Sequence, residues 1–300
     1  MTATLSQPQT KARPRRRRTS WTTVARRTSQ LIFAGFILIA SIRHGLGLEA
    51  NALASIDALC PFGGVETLWT WITTGRSVAK THPSNLILGL GLLVSVLLAG
   101  NAFCGWICPF GAFQDALTWV RRKLHISEIK LSAKADHLLR YGRFVVLGII
   151  LYATITSLKL WFAEYDPYRT LFGLHWLFEF NLAAMWPAFV ILGTVTAGSL
   201  LIERFWCKYL CPLGAVLSVT QHLSLLRIRR VEEGCKGCAL CETPCPMGIK
   251  VATANPAVSA DCIGCLKCVD ACPKHGVLSV QLAPTWLDPV KQRMNRNTTA

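Results

Sequence analysis

Two stretches near the end of the chain, CKGCALCETPCP at 235–246 and CIGCLKCVDACP at 262–273, each read Cys-x-x-Cys-x-x-Cys-x-x-x-Cys-Pro. Eight cysteines at this repeated spacing leave few folds open. Three closely spaced thiols wrap one corner of an iron–sulfur cube, and the fourth is directed to the other cluster. Cys235, Cys238, Cys241 and Cys272 are therefore the expected ligands of one [4Fe–4S] cluster, and Cys262, Cys265, Cys268 and Cys245 those of a second. The crossed fourth ligands tie the halves into one small α+β dicluster domain over 227–283. Zinc sites are the competing reading, but zinc favours two cysteine pairs separated by a gap. The segment is too poor in apolar residues to build a core without its clusters. Such a domain carries electrons one at a time and performs no substrate chemistry itself.

The rest of the chain is of another kind. Of 300 residues, 52% are hydrophobic and only 16% charged. Charge-poor runs of roughly 20 residues suffice to cross about 30 Å of hydrocarbon. Asn85 to Phe103 and Asn181 to Ile202 qualify directly. Phe144 to Leu158 is shorter, with Lys159 able to snorkel, and Gln30 to Ile42 is interrupted by Arg43 unless it extends to Leu48. The expected architecture is a membrane all-α four-helix bundle over 28–226, made of two parallel hairpin repeats. A basic cytoplasmic tail (1–27) precedes it, and a short tail (284–300) follows the clusters.

The net charge of +16 would suggest nucleic acid in a soluble chain. No interleaving of basic and aromatic residues supports that, so no nucleic-acid partner is expected. Arg13, Arg15 to Arg18, Arg26 and Arg27 precede the first run, and Arg121, Arg122, Lys123, Lys130, Lys134, Arg140 and Arg143 follow the second. The positive-inside rule then places both chain ends and the clusters in the cytoplasm, with inner-membrane lipid as partner of the basic loops. No small-residue cleavage site follows the first run, which reads as an uncleaved anchor. Thirteen cysteines in this setting point to metal rather than to disulfides.

Two further motifs, CGWICPFGA at 104–112 and CKYLCPLGA at 207–215, each end an apolar run. If these are helical, residues four apart share a face. If each span instead stops near its first cysteine, Cys108 and Cys211 sit at the amino ends of the next helices. There the helix dipole favours thiolate, and Pro109 and Pro212 suit the first turn. Amphipathic basic helices are expected over 112–124 and 215–230, lying along the inner membrane surface. Small buried residues at helix ends are the bland reading. Two copies at equivalent places favour a redox or ligand role for Cys104, Cys108, Cys207 and Cys211, with an additional centre among the four as one form of it.

The segment DALCPFGGVETLWTWITTG at 57–75 reads as an interfacial or re-entrant outer helix, with Cys60 as a packing residue. No histidine lies inside the third or fourth run, which disfavours a bis-histidine haem. Proton-handling candidates are Asp57, Glu66, His82, Asp166 and His175 on the outer side and Asp115 and Glu203 on the inner.

Four spans, the paired CGWICPFGA and CKYLCPLGA motifs and the two cluster runs resemble the NapH-like, NosR-like membrane-bound ferredoxin-type family, over roughly residues 28 to 283. LCPFGGVETLW and YDPY are similar to segments of its four-span members. The resemblance implies electron transfer between the quinone pool and a redox partner protein, of quinol dehydrogenase type. A related CcoG-like branch implies a copper reductase or a maturation factor for a respiratory metalloenzyme. A membrane redox sensor is the third reading.

Overall fold

The computed structural model describes residues 20–46, 60–75, 83–129, 131–174, 182–231, 234–253, 259–274 and 276–282. Most of the basic tail, the carboxy-terminal tail, the extension of the first run to Leu48, and Asp57, His82 and His175 lie outside the described residues.

The first helix, α1 (Trp21–Gly45), begins at Ser20, whose hydroxyl accepts the Thr23 N–H. Its buried stripe is Arg26, Gln30, Ile37 and Ser41, whereas Leu31, Ile32, Phe36 and Ile39 face outward. A polar inner stripe with an apolar outer face inverts the pattern of a helix that packs in water. Exposed apolar residues continue on α3 (Pro83–Ala99; Ile87, Leu90, Leu98) and α7 (Gly142–Ser157; Val145, Ile149).

Both repeats break in the same way. After α3 the chain turns at Gly100 (φ 62°), forms α4 (Ala102–Trp106), and restarts at Pro109 as α5 (Pro109–Lys123). After α9 (Leu182–Leu201) it turns at Arg204 (φ 56°), forms α10 (Phe205–Tyr209), and restarts at Pro212 as α11 (Pro212–Thr220). This decides between the two geometries left open by the sequence. Each apolar helix stops before its first cysteine, and Cys108 and Cys211 are the N-cap residues of proline-led helices. The break also shortens the apolar helices: 17 residues of α3 reach about 26 Å at the standard rise. Among the described residues only the run Ala133–Ser157 is long and apolar enough to cross a membrane; Ile87–Ala99 and Met185–Leu201 are shorter apolar helices.

Two segments expected at the outer face fold back into the bundle. These are α2 (Pro61–Thr74), ended by Gly75 at φ 68°, and a 3-10 turn Trp161–Glu164 followed by α8 (Pro167–Phe172). Phe62 meets Phe162 edge-on at 5.6 Å. Both belong to the buried cluster that also holds Ile37, Phe110, Ile150, Val195 and Trp206. Glu66 on α2 accepts a hydrogen bond from Thr154 of α7 at 2.8 Å.

The amphipathic stretches need correction. The 215–230 stretch is not one helix: α11 ends at Thr220, one 3-10 turn covers Gln221–Leu223, and β1 (Leu226–Arg230) follows. This strand pairs antiparallel with β2 (Leu278–Leu282), Leu226 opposite Leu282, closing the cysteine-rich lobe from both ends. That non-local pairing overrides the helical period. The other stretch is a helix as expected, α5, with Arg122 and Lys123 exposed, but it buries Gln114, Thr118 and Arg121 against the bundle. The cysteine-rich lobe contains one more short helix, α12 (Lys267–Ala271), so the chain is mostly helical with a small mixed lobe.

Candidate functional site

Within the lobe the two cysteine runs adopt the same backbone. Gly237 and Gly264 have φ of 65° and 60°, and at equivalent places Ala239 and Leu266 have 53° and 58°. Alternation into the left-handed region turns successive N–H groups to one side, the arrangement that makes anion-binding concavities at iron–sulfur sites. The Gly237 N–H reaches Cys235, and the Gly264 N–H reaches Cys262. Ile249 N–H points at Cys245 Sγ at 3.4 Å.

The thiols fall into two groups across the runs. Cys245 neighbours Cys262, Cys265 and Cys268, while Cys272 and Cys235 neighbour Cys241, which also lies near Cys268 where the two groups adjoin. Burial pushes Cys241 up to about 11 and Cys262 up to about 12, whereas the Gly237 N–H and Arg230 hold Cys235 below its usual value. Among the described residues no three such side chains converge as they would on a single ion. Two all-thiol groups lined by inward N–H donors fit a cluster's anionic sulfur cage. Cys238 is exposed.

In the helical body, Cys104, Cys108, Cys207 and Cys211 are drawn together from both repeats. They line one cavity of about 530 Å³. Burial opposes the thiolate expected from helix-end placement. Burial pushes Cys108 up to about 11 despite the Gly111 and Phe110 N–H groups. Cys211 is raised well above the usual range although the Gly214 N–H lies 3.3 Å from its sulfur. Desolvation in an apolar pocket outweighs the dipole.

Sequence reasoning missed the polar groups that hold this arrangement. Gln114 Nε2 donates to Cys207 Sγ at 3.1 Å. Arg204, fully buried, donates to the Cys104 carbonyl at 3.0 Å and to both oxygens of Asp115 at 3.2 and 2.8 Å. Arg26 reaches Asp115 at 2.8 Å, and Gln30 bridges Asp115 and the Gly105 carbonyl. A signal was present: aligning the repeats on their cysteines sets Asn101, Gln114 and Asp115 against Arg204, Leu217 and Ser218. The polar positions that break the symmetry are those that tie the halves together. Asp115 and Glu203, proposed as proton carriers, are instead ion-paired, Asp115 as above and Glu203 to Arg122 at 3.3 Å.

The cysteine-rich lobe docks directly on the first motif. Cys104 packs against the lobe's apolar core of Ile228, Met247, Ile263 and Leu278. A Cβ at Gly105 would collide with the Ile263 carbonyl, and Trp106 Nε1 donates to the Gly264 carbonyl at 3.0 Å. Arg140, the last residue of α6 (Ala133–Arg140), and Arg143 together clasp Asp261, and Arg140 also donates to the Met247 carbonyl at 2.7 Å. The group around Cys262 therefore faces the helical body, and the group around Cys235 faces away.

Of the outer-side candidates, Glu66 and Asp166 are both buried. Cys60, expected as a packing residue, lines the 530 Å³ cavity and lies 3.8 Å from Asp166 Oδ2.

Two family models match segments of the chain. The 4Fe-4S binding domain model (Fer4_5) matches twice, at 81–127 and 184–230, once on each repeat. The 4Fe-4S dicluster domain model (Fer4_10) matches 227–273. YccM of Escherichia coli (strain K12) is 30% identical over 76% of this chain and 64% of its own length. Protein NirI of Paracoccus denitrificans is 33% identical over 78% of this chain but 33% of its own length. The ferredoxin-type protein NapH of Haemophilus influenzae is 32% identical over 67% of this chain and 71% of its own length. The chain thus spans less than two thirds of the first two of these relatives. No solved structure matches it.

Proposed function

The chain belongs to the NapH/NosR-like ferredoxin-type family, and on that premise we propose that it is a membrane-anchored electron-transfer protein linking the quinone pool to a redox partner. In this reading Cys235, Cys238, Cys241 and Cys272 hold one [4Fe–4S] cluster, and Cys262, Cys265, Cys268 and Cys245 hold the other. Bound clusters supply one-electron transfer. The chain's own residues shield the sulfurs from water, aim N–H groups at them and fix the lobe on the helical body.

One observation carries the reading: Cys104 lines the cavity shared with Cys108, Cys207 and Cys211 and also packs on the core beneath Cys262, Cys265 and Cys245. The four cysteines are the junction between membrane and lobe. The outward apolar faces of α1, α3 and α7 and the basic loops support four spans with both ends and the lobe cytoplasmic. A carboxy-terminal phosphatase fusion active in whole cells would refute that orientation.

The junction is tested by changing Cys104 and Cys207 to serine together. Reduction by quinol should stop while reduction by dithionite persists. Iron analysis then separates two forms of the junction. About eight irons per chain means bare thiols, and an excess lost in the double variant means a third centre. Quinol-driven reduction unchanged in the double variant would make the motifs packing devices.

A further inference from the structure

The cavity beside the four cysteines has the features of a ligand site. Its 530 Å³ falls within the range of roughly 300–1,000 Å³ that takes a small organic molecule, apolar with a few convergent polar groups. At one side Phe33 and Phe36 of α1 and Ile87 and Leu88 of α3 line it. These residues also lie on the exposed apolar surface, Phe36 at 59% and Ile87 at 70%. The opening is therefore lateral, through a face suited to hydrocarbon. Asp166, the N-cap of α8, and Tyr168 of α8 also line the cavity. Tyr168 lies within electrostatic range of Cys60 and Cys108, and Asp166 within range of Cys211. Behind Asp166 is a second cavity of about 20 Å³, shared with Glu66 and Arg169, which has room for one water.

We propose that this cavity binds a lipid-soluble quinol, admitted sideways between α1 and α3, and that Asp166 takes the ring hydroxyl proton and hands it on to Glu66. This rests on the quinol-linked reading above and adds where the quinol sits and which base serves it. A long isoprenoid tail needs an apolar lateral door, and the headgroup needs a base within hydrogen-bond reach. Both line one cavity.

The oxidation breaks two O–H bonds in turn and leaves a quinone. Each proton goes to the Asp166 carboxylate and on towards Glu66; each electron goes to an oxidised iron–sulfur centre on the cysteine side. Because α2 and α8 enter the bundle from the side away from the lobe, protons leave opposite to the electrons.

The test uses purified protein with its clusters intact, photolabelled with an azido-quinone and mapped by peptide mass spectrometry. Label is expected on 33–37, 87–92 or 160–168, and Phe36→Trp or Leu88→Trp should sharply reduce it. Asp166→Asn preserves the helix cap, because asparagine also caps. It should keep the label and the dithionite reduction but slow quinol-driven cluster reduction about a hundredfold. Glu66→Gln should slow it less and move the acid limb of its pH profile, which a merely structural role would not do. Among the described residues, the titratable groups that share a cavity with Glu66 are Asp166, Tyr168 and Arg169 at α8 and Cys60 at the start of its own helix. Label confined to other surfaces, or Asp166→Asn within about threefold of wild type, overturns the proposal. Wild-type protein that no quinol reduces refutes the broader reading instead.

Discussion

The side-chain amide of Gln114 donates to Cys207 Sγ across 3.1 Å, so the helix that follows the first motif supports a sulfur of the second. Gln114 is fully buried, and its carbonyl oxygen lies 3.5 Å from the Ser199 hydroxyl. One residue thereby connects α5, α9 and α10. Hydrogen bonds to sulfur favour the more negative, reduced form of a thiol-held centre.

Gln114→Leu, which installs the residue found at the equivalent place in the second repeat, should leave the fold intact. Exchange of a neutral buried donor for an apolar group costs about 1–3 kcal/mol here, because the Ser199 hydroxyl loses its acceptor. Quinol-driven reduction of the clusters should slow with iron content unchanged, and a third centre, where iron analysis detects one, should show a lower potential in redox-poised spectra. An unchanged rate would disconnect Gln114 from the electron path.

Asp115 governs the acid limit of stability. Burial opposes its ionisation, but Arg204, then Arg26 and Lys267, hold its carboxyl well below the usual range. The unfolded carboxyl titrates near pH 4 (about 3.9). The stabilisation is therefore fully present above that pH and is lost as pH falls towards the folded value. Asp115→Asn leaves Arg204 buried without its partner and should cost about 3–5 kcal/mol. Thermal melts as a function of pH check both parts: the variant should be less stable at neutral pH and less sensitive to acid.

Asp261 is the clasp between the lobe and the helical body, held by Arg140 at 2.8 Å and by Arg143. Asp261→Ala leaves two largely buried guanidinium groups facing each other and should weaken docking by about 2–5 kcal/mol. Limited proteolysis should cut the lobe faster, and quinol should reduce the clusters more slowly while dithionite acts as before. Equal protease resistance in variant and wild type would show that the apolar contact alone holds the lobe.

Removing iron should unfold the lobe and spare the rest. The lobe's described core is seven buried residues beside a two-stranded sheet, and an isolated two-stranded hairpin is marginal in water. After anaerobic chelation, amide exchange over 226–282 should become fast while the helical circular dichroism of the bundle persists. In intact protein, low-temperature spectra should show two interacting reduced [4Fe–4S] centres. Stoichiometric zinc in place of iron would refute the cluster assignment.

The sequence by itself determined the local chemistry: which cysteines fall in which run, where proline restarts a helix, and which stretches are apolar. These are legible because they depend on covalent spacing and short-range backbone preference. The repeat was visible for the same reason, and so was the placement of Pro109 and Pro212 at first turns. Only the tertiary structure decided what meets what. Residues 226–230 are a strand because their partner lies some fifty residues on, at 278–282, beyond the reach of any periodicity. Cys60 and Asp166 join the cysteines' cavity, with Glu66 in the small cavity beside it, because α2 and α8 fold back into the bundle, and nothing in their composition separates that path from a surface one. Burial pushes the thiols of Cys108 and Cys211 up against the pull of the helix dipole, and burial is a property of the assembled fold. Asp115 looked like a proton carrier until Arg26 from α1 and Arg204 from the turn after α9 arrived from distant parts of the chain. Charges pair across space, and their order along the chain does not say with whom.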